Sequence, residues 1–274
     1  MPFRLTSLII DKYPFENLER HGDIINVAPT IKADATKLPI ADQACDVLFA
    51  SHVIEHIPEP WKFLQEAKRC ARFIYLEFPS AWREVMYAWS FHRWLVEVEQ
   101  GRLVFYKNDI PQLFGDLFHT HYDYLLDTWS EYRFAELNTY LYTKTAELAC
   151  VVSSKTAFEH VLSRSAQGEK KLNFPSRYGQ MGIGSVPYPL AARFKTLLWS
   201  MTPAALIKLR NRVAQRRNSA NRPEFAEALL PRLLCQACRV ARLSVECEST
   251  ERIIACKACG ARYRATDGVF DFDI

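Results

Sequence analysis

"KADATKLPIADQACDVLFASHVIEHIPEP", residues 32–60, contains two strand patterns and leads into a helix. A short strand is predicted over 31–33. A second is predicted over 46–50, where a near-continuous apolar run is typical of a parallel strand covered on both faces. A helix starting at Pro60 and ending near Arg72 follows, and "RFIYLEFPS", residues 72–80, reads as the next strand. This alternation predicts an α/β fold with a parallel sheet.

Upstream, "SLIIDKYPF", residues 7–15, reads as a strand that ends on an acid, Asp11, and a short helix is predicted over 15–21. Downstream, "WLVEVEQGRLVFYKN" alternates around Gln100-Gly101 and predicts a hairpin. A strand over 145–152 and a helix over 156–164 complete the predicted N-terminal domain, residues 1–165.

Together, the acid-ended strand, Asp34-Ala35, Leu38-Pro39 and "HVIEH", residues 52–56, resemble the class I S-adenosylmethionine-dependent methyltransferases. The resemblance runs from about residue 7 to 80 and implies a Rossmann-like methyltransferase sheet lacking its first strand. It also implies a set of cofactor-binding residues: Asp11, Asp34, Ala35, Ser51 and His52.

Asp11 could bind ribose hydroxyls, as an acid at the end of a second strand does in dinucleotide folds. His52 is expected at the carboxyl end of a strand, where open α/β sheets bind their ligands. If the methyl acceptor is a hydroxyl group, a base assists the transfer. His52 and His56 are the candidate bases, followed by Glu55, and the alternative is that Glu55 and His56 only pack or cap a short helix.

"HVIEH" also fits H-x-x-E-H, an inverted zinc-protease motif in which two histidines share a metal ion. Pro58 disfavours the continuous helix that this motif requires, so the methyltransferase interpretation is preferred.

The glycine-rich turn that follows the first strand of class I methyltransferases has no counterpart here, since no glycine precedes Gly22. Two explanations for the missing turn stay open: the sequence starts too late, or the domain is degenerate. The fold is therefore predicted more firmly than the activity.

Near the C-terminus, two C-x-x-C pairs, Cys235 with Cys238 and Cys256 with Cys259, have the spacing of a zinc ribbon. Four thiolates close a tetrahedral coordination sphere, so a structural Zn²⁺ is expected, whereas Cys247 lacks a partner. "LLCQAC", "CKACGARY" and Asp267-Gly268-Val269 resemble the small zinc-ribbon activator of tRNA, ribosomal and release-factor methyltransferases. That resemblance implies a docking module over residues 229–274.

Between these parts, residues 166–228 form a basic linker that is expected to be partly helical. No acid occurs between Glu169 and Glu224, where eleven Lys and Arg residues fall, although the net charge of the whole chain is only +4. Residues 193–217 could bind an anionic membrane surface or RNA phosphates, or form an ordinary helix pair with a solvated basic face.

No apolar run is long enough for a transmembrane helix, no signal peptide is expected, and the scattered cysteines indicate a reducing compartment. The leading hypothesis is a cytoplasmic methyltransferase, peripheral at the inner membrane face, acting on a cell-envelope glycan or lipid-linked sugar. The alternatives are a catalytically inactive scaffold that docks a protein partner through the ribbon, and an RNA-modification factor.

Overall fold

The computed structural model describes residues 6–16, 27–112, 137–166, 213, 223–248 and 251–273. The described strands are β1 (Ile9–Asp11), β2 (Thr30–Lys32), β3 (Cys45–Ser51), β4 (Ala71–Pro79), β5 (Trp94–Glu99), β6 (Arg102–Lys107), β7 (Asn138–Lys144), β8 (Cys150–Thr156), β9 (Leu243–Glu248), β10 (Glu251–Cys256), β11 (Arg262–Thr266) and β12 (Val269–Asp271). The described α-helices are α1 (Pro60–Cys70), α2 (Ala81–Tyr87) and α3 (Ala157–Ala166).

The chain divides into two compact units. The first comprises Met1–Val47, Trp61–Arg72 and Ala204–Ile274, and the second comprises Leu48–Pro60 and Phe73–Pro203.

A six-stranded sheet in the order β1-β2-β12-β11-β10-β9 organises the first unit. β1 and β2 are parallel, as the sequence predicts, and β12 lies parallel to β2 on its other side. Strands β9 to β12 pair antiparallel in succession. The sheet is therefore mixed, because the C-terminal hairpins extend the N-terminal parallel pair.

This arrangement differs from the predicted boundary that made residues 229–274 a separate domain. Ile31 of β2 and Phe270 of β12 are neighbours in the register and share one buried core with Tyr263 and Phe272. The 45 or so C-terminal residues bury little apolar surface alone, and pairing with β2 supplies the missing contact.

The first cysteine turn also contacts the loop before β3. Leu234 N–H donates to the Pro39 carbonyl at 3.0 Å, and Ala41 N–H donates to the Arg232 carbonyl at 2.8 Å. Arg239 reaches the Leu38 carbonyl at 3.1 Å. The C-terminal segment is thus hydrogen-bonded to the loop at residues 38–41 of the same chain.

Two three-stranded sheets, ordered β3-β4-β7 and β5-β6-β8, contain the strands described in the second unit. β4 and β7 are antiparallel, and β5 and β6 form the predicted hairpin. Gln100 and Gly101 form its turn with φ angles of 50° and 77°, the left-handed pair that matches the twist of a two-residue hairpin.

β3 is less buried than the sequence predicts. Val47 and Phe49, which share one face, are 46% and 40% exposed, so the expectation of cover on both faces is wrong. In the described part of the chain β3 lies at the edge of its sheet, and its apolar composition does not reveal that position.

α1 begins at Pro60 as predicted but ends at Cys70, because β4 starts at Ala71. Its buried positions, Phe63, Leu64 and Ala67, recur at helical spacing. Among the described helices, none has the length and hydrophobicity to cross a bilayer. The helix expected over 15–21 and the basic segment 193–217 lie largely outside the described residues.

Candidate active site and metal centre

The turn after β3 positions the side chains of the "HVIEH" motif. His52 has a φ of 52°, in the left-handed region that non-glycine residues rarely adopt. Its N–H donates to the Glu77 carbonyl of β4 at 2.8 Å. Ile54 and Ile57 are buried beneath the turn, which anchors it and holds Glu55 inside the protein.

His52 lies between two carboxylates. Its Nδ1 is 3.3 Å from Glu55 Oε1, and its Nε2 is 3.4 Å from Glu77 Oε1. Burial alone would lower the pKa of His52, but the hydrogen bonds to Glu55 and Glu77 outweigh it and raise the pKa to about 9. At neutral pH His52 is therefore an imidazolium ion, which suits a positioning or proton-donating role better than that of a base.

Glu77 is a site residue that the sequence reasoning missed. It also accepts hydrogen bonds from Ser51 Oγ at 3.3 Å and from the Tyr75 hydroxyl at 3.2 Å. Burial opposes ionisation, yet the bond to His52 lowers the pKa of Glu77. Its signal in the sequence is a single acid within the apolar run of β4, two residues before the strand ends.

His56 lies with His92 rather than with His52. Glu55, His56 and His92 each place one ligand atom within 4.8 Å of the others, and the two imidazole rings lie 4.6 Å apart between centroids. Glu84 Oε1 lies 2.5 Å from His92 Nδ1. Burial, with the nearby charge of Glu55, raises the pKa of Glu84 well above its usual value.

Asp11 and Asp34 lie in the first unit, at the carboxyl ends of the parallel strands β1 and β2. Asp11 Oδ1 accepts from the Tyr13 N–H at 2.7 Å. Asp34 caps the 3-10 turn that begins at Ala35 and pairs with Lys12 Nζ at 2.6 Å. Burial opposes ionisation of Asp34, but the hydrogen bonds from Lys12 and Thr36 outweigh it and lower the pKa of Asp34. Ser51 and His52, the other predicted cofactor residues, belong to the second unit.

Cys235, Cys238, Cys256 and Cys259 come together as predicted, each sulfur within 4.8 Å of the others. Cys235 and Cys259 sulfurs are 3.6 Å apart, and Cys238 and Cys256 sulfurs are 3.7 Å apart. Four sulfurs at 2.3 Å from one tetrahedral zinc would be separated by about 3.8 Å. These residues therefore fit a closed Zn²⁺ site, whereas a disulfide needs sulfurs about 2.0 Å apart.

Tyr263 supports this cluster from behind. Its hydroxyl lies 3.0 Å from Cys235 Sγ and accepts from the buried Gln236 N–H at 2.7 Å. Burial opposes thiolate formation, but the bond from Tyr263 and that from the Cys238 backbone lower the pKa of Cys235 to about 6. Cys247 is exposed on β9, away from the cluster.

Residues 4–72 match the methyltransferase domain family, and this match covers about a quarter of the chain. The chain is also similar to uncharacterized methyltransferases from three Mycobacterium sp. strains, KMS, JLS and MCS. Identity to each is 43% over 42 residues, which is 15% of this chain and only 17% of the relative's length. No solved structure matches the chain. The comparisons therefore show a likeness to methyltransferases over the N-terminal quarter of the chain without specifying a methyl acceptor, and the zinc-ribbon hypothesis rests on the four cysteines.

Proposed function

We propose that this protein is an S-adenosylmethionine-dependent methyltransferase with a structural zinc ribbon. The observation that carries the proposal is the parallel pairing of β1 with β2, with Asp11 and Asp34 at their carboxyl ends, inside the stretch that matches a methyltransferase domain. Acids at that edge of an open α/β sheet commonly bind nucleoside hydroxyls.

In this proposal Asp11 binds the ribose, and Asp34 and Ala35 border the adenine. A cofactor-binding role of Ser51 and His52 stays a prediction from the resemblance. The bound cofactor supplies an electrophilic methyl group on sulfur. Catalysis then depends mainly on aligning the acceptor with that methyl group. His52 acts as a cation that orients its neighbours at neutral pH, since its pKa of about 9 keeps its proton in place. Glu55 and His56 remain the candidate bases.

The proposed acceptor is a hydroxyl of a cell-envelope glycan or lipid-linked sugar, bound at the cytoplasmic membrane face. Its support is the resemblance of the "HVIEH" region and the basic composition of residues 193–217. Lys and Arg on an amphipathic segment bind anionic headgroups.

Zn²⁺ held by the four cysteines would stabilise the ribbon, whose first turn already contacts the loop at residues 38–41. The proposed protein partner would dock on the ribbon. A non-catalytic scaffold would share all of these features except cofactor binding.

Calorimetry with S-adenosylmethionine on the full chain tests the enzyme. The wild type should bind, and Asp11→Asn should bind at least about tenfold more weakly, the equivalent of about 1.4 kcal/mol. Asp42→Asn is the matched control, because the Asp42 side chain is 75% exposed. If the wild type gives no heat at millimolar cofactor, the enzyme proposal fails and the scaffold replaces it.

Co-sedimentation tests the acceptor environment. Phosphatidylglycerol vesicles should pellet the protein at low salt, with binding weakened as salt screens the basic segment. Preferential pelleting with RNA over vesicles would instead favour the RNA-modification factor.

A further inference from the structure

Two carboxylates are fully enclosed in the second unit. Glu55 and Glu84 are 0% and 1% exposed. Glu55 Oε1 pairs with His52 and Glu84 Oε1 with His92, but Oε2 of each carboxylate has no hydrogen-bond partner. A buried polar oxygen without a partner is unfavourable, and buried carboxyl groups in proteins are commonly paired or bind metal ions.

Three side chains offer a set of metal ligands there. One oxygen of Glu55 and one ring nitrogen each from His56 and His92 lie within 4.8 Å of one another. Ligands at about 2.0–2.2 Å from one tetrahedral ion are about 3.4 Å apart, so the three ligand atoms, which lie within 4.8 Å of one another, would draw closer together around the ion. Two imidazoles and a carboxylate suit Zn²⁺, Fe²⁺ or Co²⁺ better than Ca²⁺ or Mg²⁺.

The segments that carry these ligands are already fixed to each other. Arg93 and Trp94 N–H groups donate to the Glu55 carbonyl at 2.9 and 3.2 Å. Trp94 Nε1 donates to the Ile57 carbonyl at 2.9 Å. Glu84 stands beside His92 as the carboxylate that commonly orients a metal-bound histidine.

Aromatic rings enclose the cluster. The His56 ring stacks on Phe91 with centroids 5.6 Å apart, and Trp89 lies 4.5 Å from the His92 ring. An apolar surround of this kind limits water access and strengthens metal–ligand attraction.

The same unit contains a second group of possible metal ligands, Glu97, Glu99 and His160. The carboxylates of this group are already hydrogen-bonded by other side chains, so they do not require a metal ion. Arg164 Nη1 donates to both oxygens of Glu97 at 2.8 and 2.9 Å. The Tyr106 hydroxyl donates to Glu99. Protein groups therefore satisfy these acids, which makes His160 a suitable control.

We propose that Glu55, His56 and His92 bind a divalent transition-metal ion, with Glu84 as a positioning residue for His92. This ion would be separate from the one proposed for the four cysteines, and its binding does not depend on methyl transfer. While it is bound, Glu55 and His56 act as its ligands and not as bases. It would tie the turn after β3 to the loop before β5.

Titration of the metal-free full chain with Co²⁺ and Zn²⁺ distinguishes the two sites. The wild type should bind about two equivalents, of which one gives the intense thiolate-to-cobalt absorption. Glu55→Gln and His92→Gln should each lose about one equivalent while that absorption stays unchanged. His160→Gln should retain both.

Thermal unfolding shows whether a variant that loses one metal equivalent is still folded. Excess Zn²⁺ should raise the unfolding temperature of the second unit in the wild type and in His160→Gln, but not in the isosteric Glu55→Gln. The proposal is overturned if the wild type binds a single equivalent that accounts for all the thiolate absorption. It is equally overturned if both variants keep the second equivalent.

Discussion

Among single residues, Tyr263 links the cysteine cluster to the buried core, because its hydroxyl contacts Cys235 Sγ and also accepts the Gln236 N–H. Tyr263→Phe leaves that N–H buried without an acceptor, so we expect a loss of about 1–3 kcal/mol in unfolding free energy. Denaturant unfolding of the zinc-loaded protein measures it. Tyr142→Phe is the control, since Tyr142 is exposed; equal midpoints for both variants would contradict the expectation.

Asp34 should make the unfolding free energy depend on pH in the acid range. Its bonds in the folded state lower its pKa below the ordinary value of 3.8. The ionised form therefore stabilises the fold above about pH 4, and that stabilisation is lost as pH falls through the lower folded value. Asp34→Ala should cost about 1 kcal/mol at pH 7, and the cost should shrink on acidification.

Asp34→Asn separates the charge from the cap, because asparagine can still accept the Thr36 N–H. It should lose only the ion pair with Lys12, about 0.2–1 kcal/mol at neutral pH. Chemical unfolding between about pH 3 and 7 measures both variants, and a cost that grew on acidification would reverse the predicted sign.

For the secondary-structure elements, the β5–β6 hairpin depends on two left-handed residues of different type. Gly101→Ala introduces a Cβ at φ 77°; no atom lies within 4 Å of it, so the cost is conformational, about 1–2 kcal/mol. Gln100→Asn should have the opposite sign, because asparagine tolerates this conformation. Thermal unfolding of the two variants should move in opposite directions, and shifts of the same sign would refute the assignment of the turn.

Elements set by local chemistry were the ones that the sequence could predict. The Gln100-Gly101 hairpin, the start of α1 at Pro60 and the meeting of the four cysteines each follow from short spacings or turn residues. The exposure of β3 and the pairing of β12 with β2 depend on neighbours distant in sequence, which a local apolar pattern cannot report.

The candidate site divides in the same way. The sequence made His52, Glu55 and His56 candidate bases, but it gave no sign that His56 lies beside His92. The contact with His92 arises only when β5 is positioned by Trp94 and Arg93. Glu77 and Glu84 were missed because single acids within or beside buried elements carry no spacing signal.

Over the whole molecule, the C-terminal strands β9 to β12 share one sheet with β1 and β2, so removing the proposed metal ion should weaken the sheet at both ends of the sequence. We expect chelation of the proposed zinc to increase hydrogen exchange in β10 to β12 and also in β1 and β2, since β2 loses its β12 neighbour. Helix α3 in the second unit, which carries no ligand of either proposed metal ion, is the internal control. Unchanged protection of Thr30–Lys32 after chelation would show that the parallel pair stands without the ribbon.

The pairing of β2 with β12 also bears on biosynthesis. Lys32 and Asp271 are 239 residues apart and joined at 2.9 Å. At bacterial or eukaryotic ribosome speeds of about 5–20 residues per second, about 10–50 s separate the synthesis of the two strands. Throughout that interval the nascent chain presents an open β2 edge, which makes it a client for ribosome-associated chaperones and vulnerable to pairing with neighbouring nascent chains.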